Sequence, residues 1–207
     1  MSTIVLERID KMQEIIIASG NKEKINEIKE IFNNYKIVSM KELGIDIDII
    51  EDKKTFEGNA IKKAETIAKK LNGKICIADD SGIEIEYLNG FPGVLTKRWF
   101  KGTDRERNLA IIEKLKGVPK EKRKLSFITA MALSNGRNTI YEIGQINGYV
   151  AEEVKGTNGF GFDEIFELEN GKTLAQISNE EKNKISARRI ALEKLRKKLI
   201  LLMNQFD

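Results

Sequence analysis

No histidine occurs anywhere in the 207 residues of this chain. That absence removes the Ser-His-Asp triad, the Cys-His pair and every zinc site built on imidazole. Acid-base chemistry then falls to Asp, Glu, Lys, Tyr or the single cysteine. A bound metal would be a hard cation held by oxygen, which means magnesium, with manganese as the alternative. The one cysteine, Cys76, can form no internal disulfide and sits in the apolar run Ile75-Cys76-Ile77-Ala78, where it reads as a core residue. No run of about 18 apolar residues exists to span a membrane. The opening stretch, MSTIVLERIDKMQE, carries charges through its apolar part and has no small-residue cleavage site. No secretory signal is expected there, and the cytoplasm is the expected compartment.

What is present describes a globular protein, with 41% hydrophobic and 33% charged residues. The length suits one sizeable core, so residues 1–207 are expected to form one domain of two joined lobes. A net charge of +4, from 36 basic and 32 acidic residues, permits an anionic ligand without demanding nucleic acid. Much of the excess lies in KLKGVPKEKRK, Lys114 to Lys124, and in the last helix. Both are read as solvated surface.

EIIIAS, Glu14 to Ser19, reads as a buried strand that stops at Gly20-Asn21, after which Ile25, Ile28, Ile31 and Phe32 recur at helical spacing. YKIVS is a second short strand, and DIDIIEDKK a loop. Thr55 caps a helix whose stripe is Phe56, Ala60, Ala64, Ile67 and Leu71, ended by Asn72-Gly73. A strand from Lys74 to Asp79 follows, then a bend at Ser81-Gly82, then a second strand in which Ile83, Ile85 and Tyr87 alternate with Glu84 and Glu86. GFPG reads as a turn. Thr103-x-x-Glu106 is a capping box before a helix, and Leu125 to Leu133 and Thr139 to Val150 are long strands joined by Asn135-Gly136. Ser178-x-x-Glu181 caps one final helix. The order predicts a mixed α/β fold with a long, bent sheet.

Five segments can carry chemistry. SGNKEK, with Ser19, Gly20, Asn21 and Lys24, turns a strand into a helix N-terminus, where backbone N–H groups meet phosphate; its bland reading is a chain reversal. In IIEDKKTFEGNAIKKA, Glu51 and Asp52 precede the helix, and Asn59 and Lys63 share one helix face at i, i+4. Lys63 then leans over the same pocket as Lys24, or is an ordinary exposed lysine. Asp79 and Asp80 point to opposite faces of an extended strand unless Ser81-Gly82 bends it. Two crowded carboxylates repel, and a divalent cation held by Asp80 and Glu51, with Asp79 as a further ligand, relieves that. A turn capped by either aspartate is the equal alternative. In GTNGFGFDEIF, Phe160 and Phe162 interleave with Gly159 and Gly161, so a base could stack there while Asp163 reads its N–H edge; a hairpin with core phenylalanines is the bland reading. In EEKNKISARR, Lys182, Ser186 and Arg189 fall near one helix face with Arg188 beside it, either solvated or meeting a phosphate or a base.

Taken in order, these segments resemble the inosine triphosphate pyrophosphatase family. The family landmarks stand here as SGNKEK, TFEGNAIKKA, ADDSGIEIEYLNGFPGVLTKRWF, GFGFDEIF and EEKNKISARR. The resemblance covers nearly everything after about residue 13. It implies an α/β fold whose long bent mixed sheet is flanked by helices, in two lobes with a central substrate cleft, usually in a homodimer. It implies hydrolysis of ITP, XTP and their deoxy forms to the monophosphate and pyrophosphate with Mg²⁺, and a small-molecule partner rather than nucleic acid or membrane. By position, Ser19, Gly20, Asn21, Lys24 and Lys63 would hold the phosphates. Glu51 and Asp80 would bind the metal, with Asp80 as general base. Ser81 would touch substrate, and Phe160, Gly161, Phe162, Asp163, Lys182 and Arg188 would surround the base. The chain departs from the family at Ala187, where the family has His, so relaxed base preference is the alternative within the same reaction. A non-catalytic nucleotide or nucleic-acid binding module is the alternative from another class. TKRWF departs from the common form, so Arg98 is left outside the site.

Overall fold

The computed structural model describes residues 14–204, the side chains of Glu23 and of residues 200–204 aside. The expectation about the first 13 residues therefore lies outside the described residues. Strands β1 (Glu14–Ile17) and β2 (Lys36–Ser39) flank helix α1 (Lys22–Ile31) in the chain. Helix α2 (Phe56–Lys70) leads into β3 (Ile75–Ile85), a short β4 (Phe91–Pro92) and α3 (Asp104–Lys114). Then come β5 (Lys124–Ser134), β6 (Thr139–Val150), a short β7 (Phe166–Glu167), α4 (Asn179–Ile185) and α5 (Ala187–Asn204). One curled seven-stranded sheet runs β2-β1-β3-β5-β6-β7, with β4 on β3. The first three strands are parallel and the rest antiparallel, the mixed sheet expected from the order of elements.

The period of two along each strand sorts the side chains between two faces. Ile15 and Ile17 of β1, Ile77 of β3, and Met131 and Leu133 of β5 pack with Ile28 of α1, Phe32 just after it, and Leu192 and Leu195 of α5. The intervening residues face α2: Ile16 and Cys76 meet Ile67 and Ala68, and Ala78, Ala130 and Ala132 meet Phe56, Ala60 and Ala64. Small residues on that side let the helix lie close to the sheet. A second core, around Ile83, Ile85, Phe162, Ile165 and Phe166, fills the far end beneath α3. Burial pushes the Cys76 thiol up to about 12, which fits an inert core residue.

Three expectations are corrected. GFPG is not simply a turn: its Phe91 and Pro92 form β4, antiparallel to Ile85 and Glu84 of β3. Ser81-Gly82 is no bend: β3 pairs with β5 without interruption from Cys76↔Ser134 to Ile85↔Leu125, so the two expected strands are one, and Tyr87 lies beyond its end in a 3₁₀ turn. Continuous pairing across ten residue pairs overrides the turn tendency of Ser-Gly. The final helix is two. Ser186 is extended, and its Oγ accepts the Arg189 N–H at 3.0 Å, so it ends α4 and caps α5. The expected shared face of Lys182, Ser186 and Arg189 does not form; Arg189 turns outward to Glu30 and Glu193.

Candidate active site

Helix-linked strand β1 stops at Ile17 opposite Ile77, while β3 continues for eight more residues, from Ala78 to Ile85. Asp79 and Asp80 therefore lie just past the carboxyl end of β1, where open α/β sheets take ligands. The opening faces of the sheet are both reachable there, so opposite side-chain directions still serve one cleft.

Asp80 points toward α2. It is 8% exposed; Asn59 Nδ2 donates to its Oδ2 at 2.8 Å and the Ser81 N–H to its Oδ1 at 3.0 Å. Burial raises its pKa, and Glu51 and Asp79 push the same way, against Lys63 and the Asn59 hydrogen bond. One turn along α2, Lys63 meets Glu51 at 2.5 Å, and Arg98 reaches the same carboxylate at 3.2 Å. The i, i+4 pair on α2 thus holds both carboxylates of the expected metal site.

Asp79 points the other way and is 5% exposed. Lys24 of α1 pairs with its Oδ2 at 2.7 Å, Ser81 Oγ donates at 3.1 Å, and Arg188 of α5 stands 3.8 Å away. Burial alone would raise this carboxyl, but Lys24, Arg188 and Lys63 together hold it well below the usual range. Arg188 is buried and is held in turn by Glu27 at 2.5 Å. Asn21 caps α1, accepting the Lys24 N–H at 3.2 Å, and its own N–H donates to Ser19 Oγ. The expected phosphate turn is therefore a formed helix N-terminus beside an ammonium group.

Two adjoining cavities result. One, of about 570 Å³, is lined by Ser19, Lys24, Glu51, Lys63, Asp79 and Asp80 among others. The other, of about 300 Å³, has apolar walls from Phe127, Ile146, Phe160, Phe162 and Leu174, with Asp163, Lys182 and Arg188 around them. Lys24, Ser81, Thr96 and Lys97 line both, so the cavities meet there. Phe160 faces the second cavity with Lys182 Nζ 4.4 Å from its ring centroid, whereas Phe162 is mostly core. Asp163 is buried and binds Lys182 at 2.5 Å and the Phe160 N–H at 2.7 Å; burial raises its pKa against the pull of Lys182. Gly161 gives its N–H to Asp104 and its carbonyl to Asn108. Asp163 thus orients the Phe160 loop and Lys182 in the free protein.

The sequence reading missed several residues lining these cavities. Arg98, set aside, sits on Glu51. Thr96 and Lys97 stand at the junction, and Glu27 anchors Arg188. Glu27 lies three residues after Lys24 on α1, so helical spacing was a usable signal. Nothing local marked Arg107, which reaches the second cavity from α3.

The carboxylates also allow a test for a divalent ion. Among the described residues, no group of three or more His, Cys, Asp or Glu is gathered to hold a metal. Asp79 is neutralised by cations on the other face of the strand. Glu51, paired with Lys63 and Arg98, and Asp80 are hard oxygen donors lining one cavity, and Glu51 raises the cost of ionising Asp80. Such a pair fits Mg²⁺, which takes one or two carboxylates and fills its shell with water and phosphate oxygens.

Fold and cleft together define an α/β protein built for an elongated ligand, anionic at one end and flat at the other. The chain belongs to the Ham1 family, whose pattern it matches over residues 15–198. It is similar to the dITP/XTP pyrophosphatase of Bacillus subtilis (strain 168), 44% identical over 194 residues, covering 91% of this chain and 98% of that protein. The dITP/XTP pyrophosphatase of Caldanaerobacter subterraneus subsp. tengcongensis is 43% identical over 194 residues, covering 91% and 97%. The solved structure of the Staphylococcus aureus Ham1 protein matches at a TM-score of 0.82 and 39% identity, over 90% of this chain and 97% of that one. A HAM1 protein from Coxiella burnetii gives 0.83 and 37%, over 91% and 99%.

Proposed function

We propose that this protein hydrolyses deaminated purine nucleoside triphosphates, the ITP, dITP and XTP group, to the monophosphate and pyrophosphate. The observation that carries the reading is the divided cleft, with lysines and carboxylates in one compartment and apolar, base-sized walls in the other. A triphosphate on a flat base matches both, with its α-phosphate at the junction by Ser81 and Thr96. The names of the relatives agree. They also disfavour relaxed base preference, since they specify deaminated bases. A bare polyanion-binding module would gain nothing from Asp80 and Glu51 in its phosphate compartment.

In this mechanism Ser19, Gly20, Asn21, Lys24 and Lys63 receive the phosphates. Glu51 and Asp80 would hold Mg²⁺, with Mn²⁺ as the alternative, and the ion when bound would neutralise phosphate charge. Water attacks the α-phosphorus in line, and its proton passes to Asp80, which Asn59 and the Ser81 N–H hold in position. The bond to the bridging oxygen breaks, and pyrophosphate leaves with that electron pair while Lys24 and Lys63 offset the spreading charge. Phe160, Lys182 and Arg188 enclose the base; Asp163 fixes Phe160 and Lys182, and Glu27 fixes Arg188. A homodimer in the cytoplasm completes the reading; among the described residues, no helix is long and apolar enough to cross a membrane.

The test is pyrophosphate release from ITP, XTP, ATP and GTP, with Mg²⁺ and with EDTA. Fast turnover of ITP and XTP that EDTA abolishes is expected. Equal rates on all four would replace this reading with relaxed preference, and no turnover would end it.

A further inference from the structure

We propose that Arg107 selects the base, by donating hydrogen bonds from its guanidinium to a carbonyl oxygen on the purine ring. The inference rests on the function proposed above. Arg107 lies on α3 and lines the apolar cavity but not the phosphate cavity, so its charge is directed at the flat end of a ligand. Its side chain is 11% exposed. Among the described residues Nη1 donates to Asp104 at 2.6 Å, and no other hydrogen bond leaves the guanidinium; Nε is fully buried with no acceptor. An arginine has five donors in a rigid fork. Enclosing most of that fork in an apolar wall with one partner is costly unless a ligand supplies acceptors.

The wall around Arg107 is tied to the loop that flanks the base compartment. Asp104 takes the Arg107 donor on one oxygen and the Gly161 N–H on the other, at 3.0 Å. Asn108, one residue on, donates to the Gly161 carbonyl at 2.9 Å. Through Asp104 the guanidinium is therefore tied to the backbone of the loop that carries Phe160 and Phe162. The same bonds occupy the Gly161 N–H and carbonyl, so neither is left to read a base. Ala187, which lines the same cavity, presents only a methyl group. Arg107 is thus a fixed donor with capacity to spare. A 6-keto purine offers adjacent acceptors at O6 and N7, which suit a guanidinium; a 6-amino purine puts an N–H₂ donor in place of O6 and meets donor with donor.

The experiment compares kcat/KM for ITP, dITP, XTP and ATP in wild type, Arg107→Met and Arg107→Lys, with thermal melts of each. Arg107→Met is expected to lower kcat/KM for ITP and XTP about tenfold, leave ATP nearly unchanged, and keep the ITP-to-dITP ratio. Arg107→Lys, a single point of charge, is expected to fall between and decides the matter if the methionine variant fails to fold. An unchanged ITP-to-ATP ratio in a folded variant overturns the proposal. So does a shift confined to the ITP-to-dITP ratio, which would assign the guanidinium to the sugar. Wild type that releases no pyrophosphate from ITP overturns the proposed function instead, and this role with it.

Discussion

Replacing Asp80 by asparagine should cost the protein its chemistry and improve its stability. The change keeps the side-chain volume and the Asn59 hydrogen bond to one oxygen, while the Ser81 N–H loses its acceptor on the other, a cost of about 1 kcal/mol to set against the relief of the charge. What disappears is a carboxylate that is 8% exposed and that burial, with Glu51 and Asp79, makes hard to ionise. The sign follows from linkage. A carboxyl whose folded pKa is raised loses stability as pH climbs from the unfolded value, about 3.9, through the folded one. At neutral pH the wild type bears that penalty and the variant does not. Each ~1 kcal/mol relieved should raise Tm by about 2–4 °C in a chain of this size. A positioned general base contributes about 10²–10⁴ in rate, and each decade is about 1.4 kcal/mol, so transition-state stabilisation should fall by roughly 3–5 kcal/mol. The assays are pyrophosphate release from ITP with Mg²⁺, and thermal melts in EDTA from pH 4 to 8. The Tm advantage should be largest near neutral pH and shrink toward pH 4. Unchanged turnover would remove Asp80 as the base, and a Tm deficit that widens toward neutral pH would refute the burial argument.

The neighbouring carboxylate should behave oppositely: Asp79→Asn leaves Lys24 buried without its counter-charge, while Arg188 keeps Glu27, at a cost of about 3–5 kcal/mol in urea denaturation. Because the folded pKa of Asp79 is depressed, its contribution is full above the unfolded value and is lost as pH falls toward the folded one, so the gap between wild type and variant should narrow below about pH 4. Gly144→Ala should destabilise by about 1–3 kcal/mol, since an added Cβ would stand 1.9 Å from the Ala187 carbonyl and 2.6 Å from the Ala191 nitrogen. It should also weaken ITP binding, measured by calorimetry, because it pushes α5 and Arg188 off β6; a variant with wild-type affinity would show that Arg188 tolerates the shift.

Much of this protein was decided locally. The absence of histidine confined the chemistry to carboxylates and lysines before any element was placed. Thr55, Thr103 and Ser178 cap helices as side-chain chemistry dictates, and Asn72 and Gly73 take the left-handed backbone that ends α2. The spacing of Asn59 and Lys63 already placed them on one face, because helical period is a property of neighbours in the chain. Other features depended on contacts far apart in sequence. Ser81-Gly82 looks like a turn until β5 supplies hydrogen-bond partners along its whole length. The helix break at Ser186 sends Arg188 inward and Arg189 outward, a choice made by Glu27, Asp79 and Glu30 rather than by local spacing. Asp79 and Asp80 are adjacent in the chain, but only the early end of β1 and the helices on either side gave one a pair of cations and the other an amide and a shared cavity. Sequence sets which groups are available and how they repeat; burial and charge compensation, which need the assembled sheet, set what each of them does.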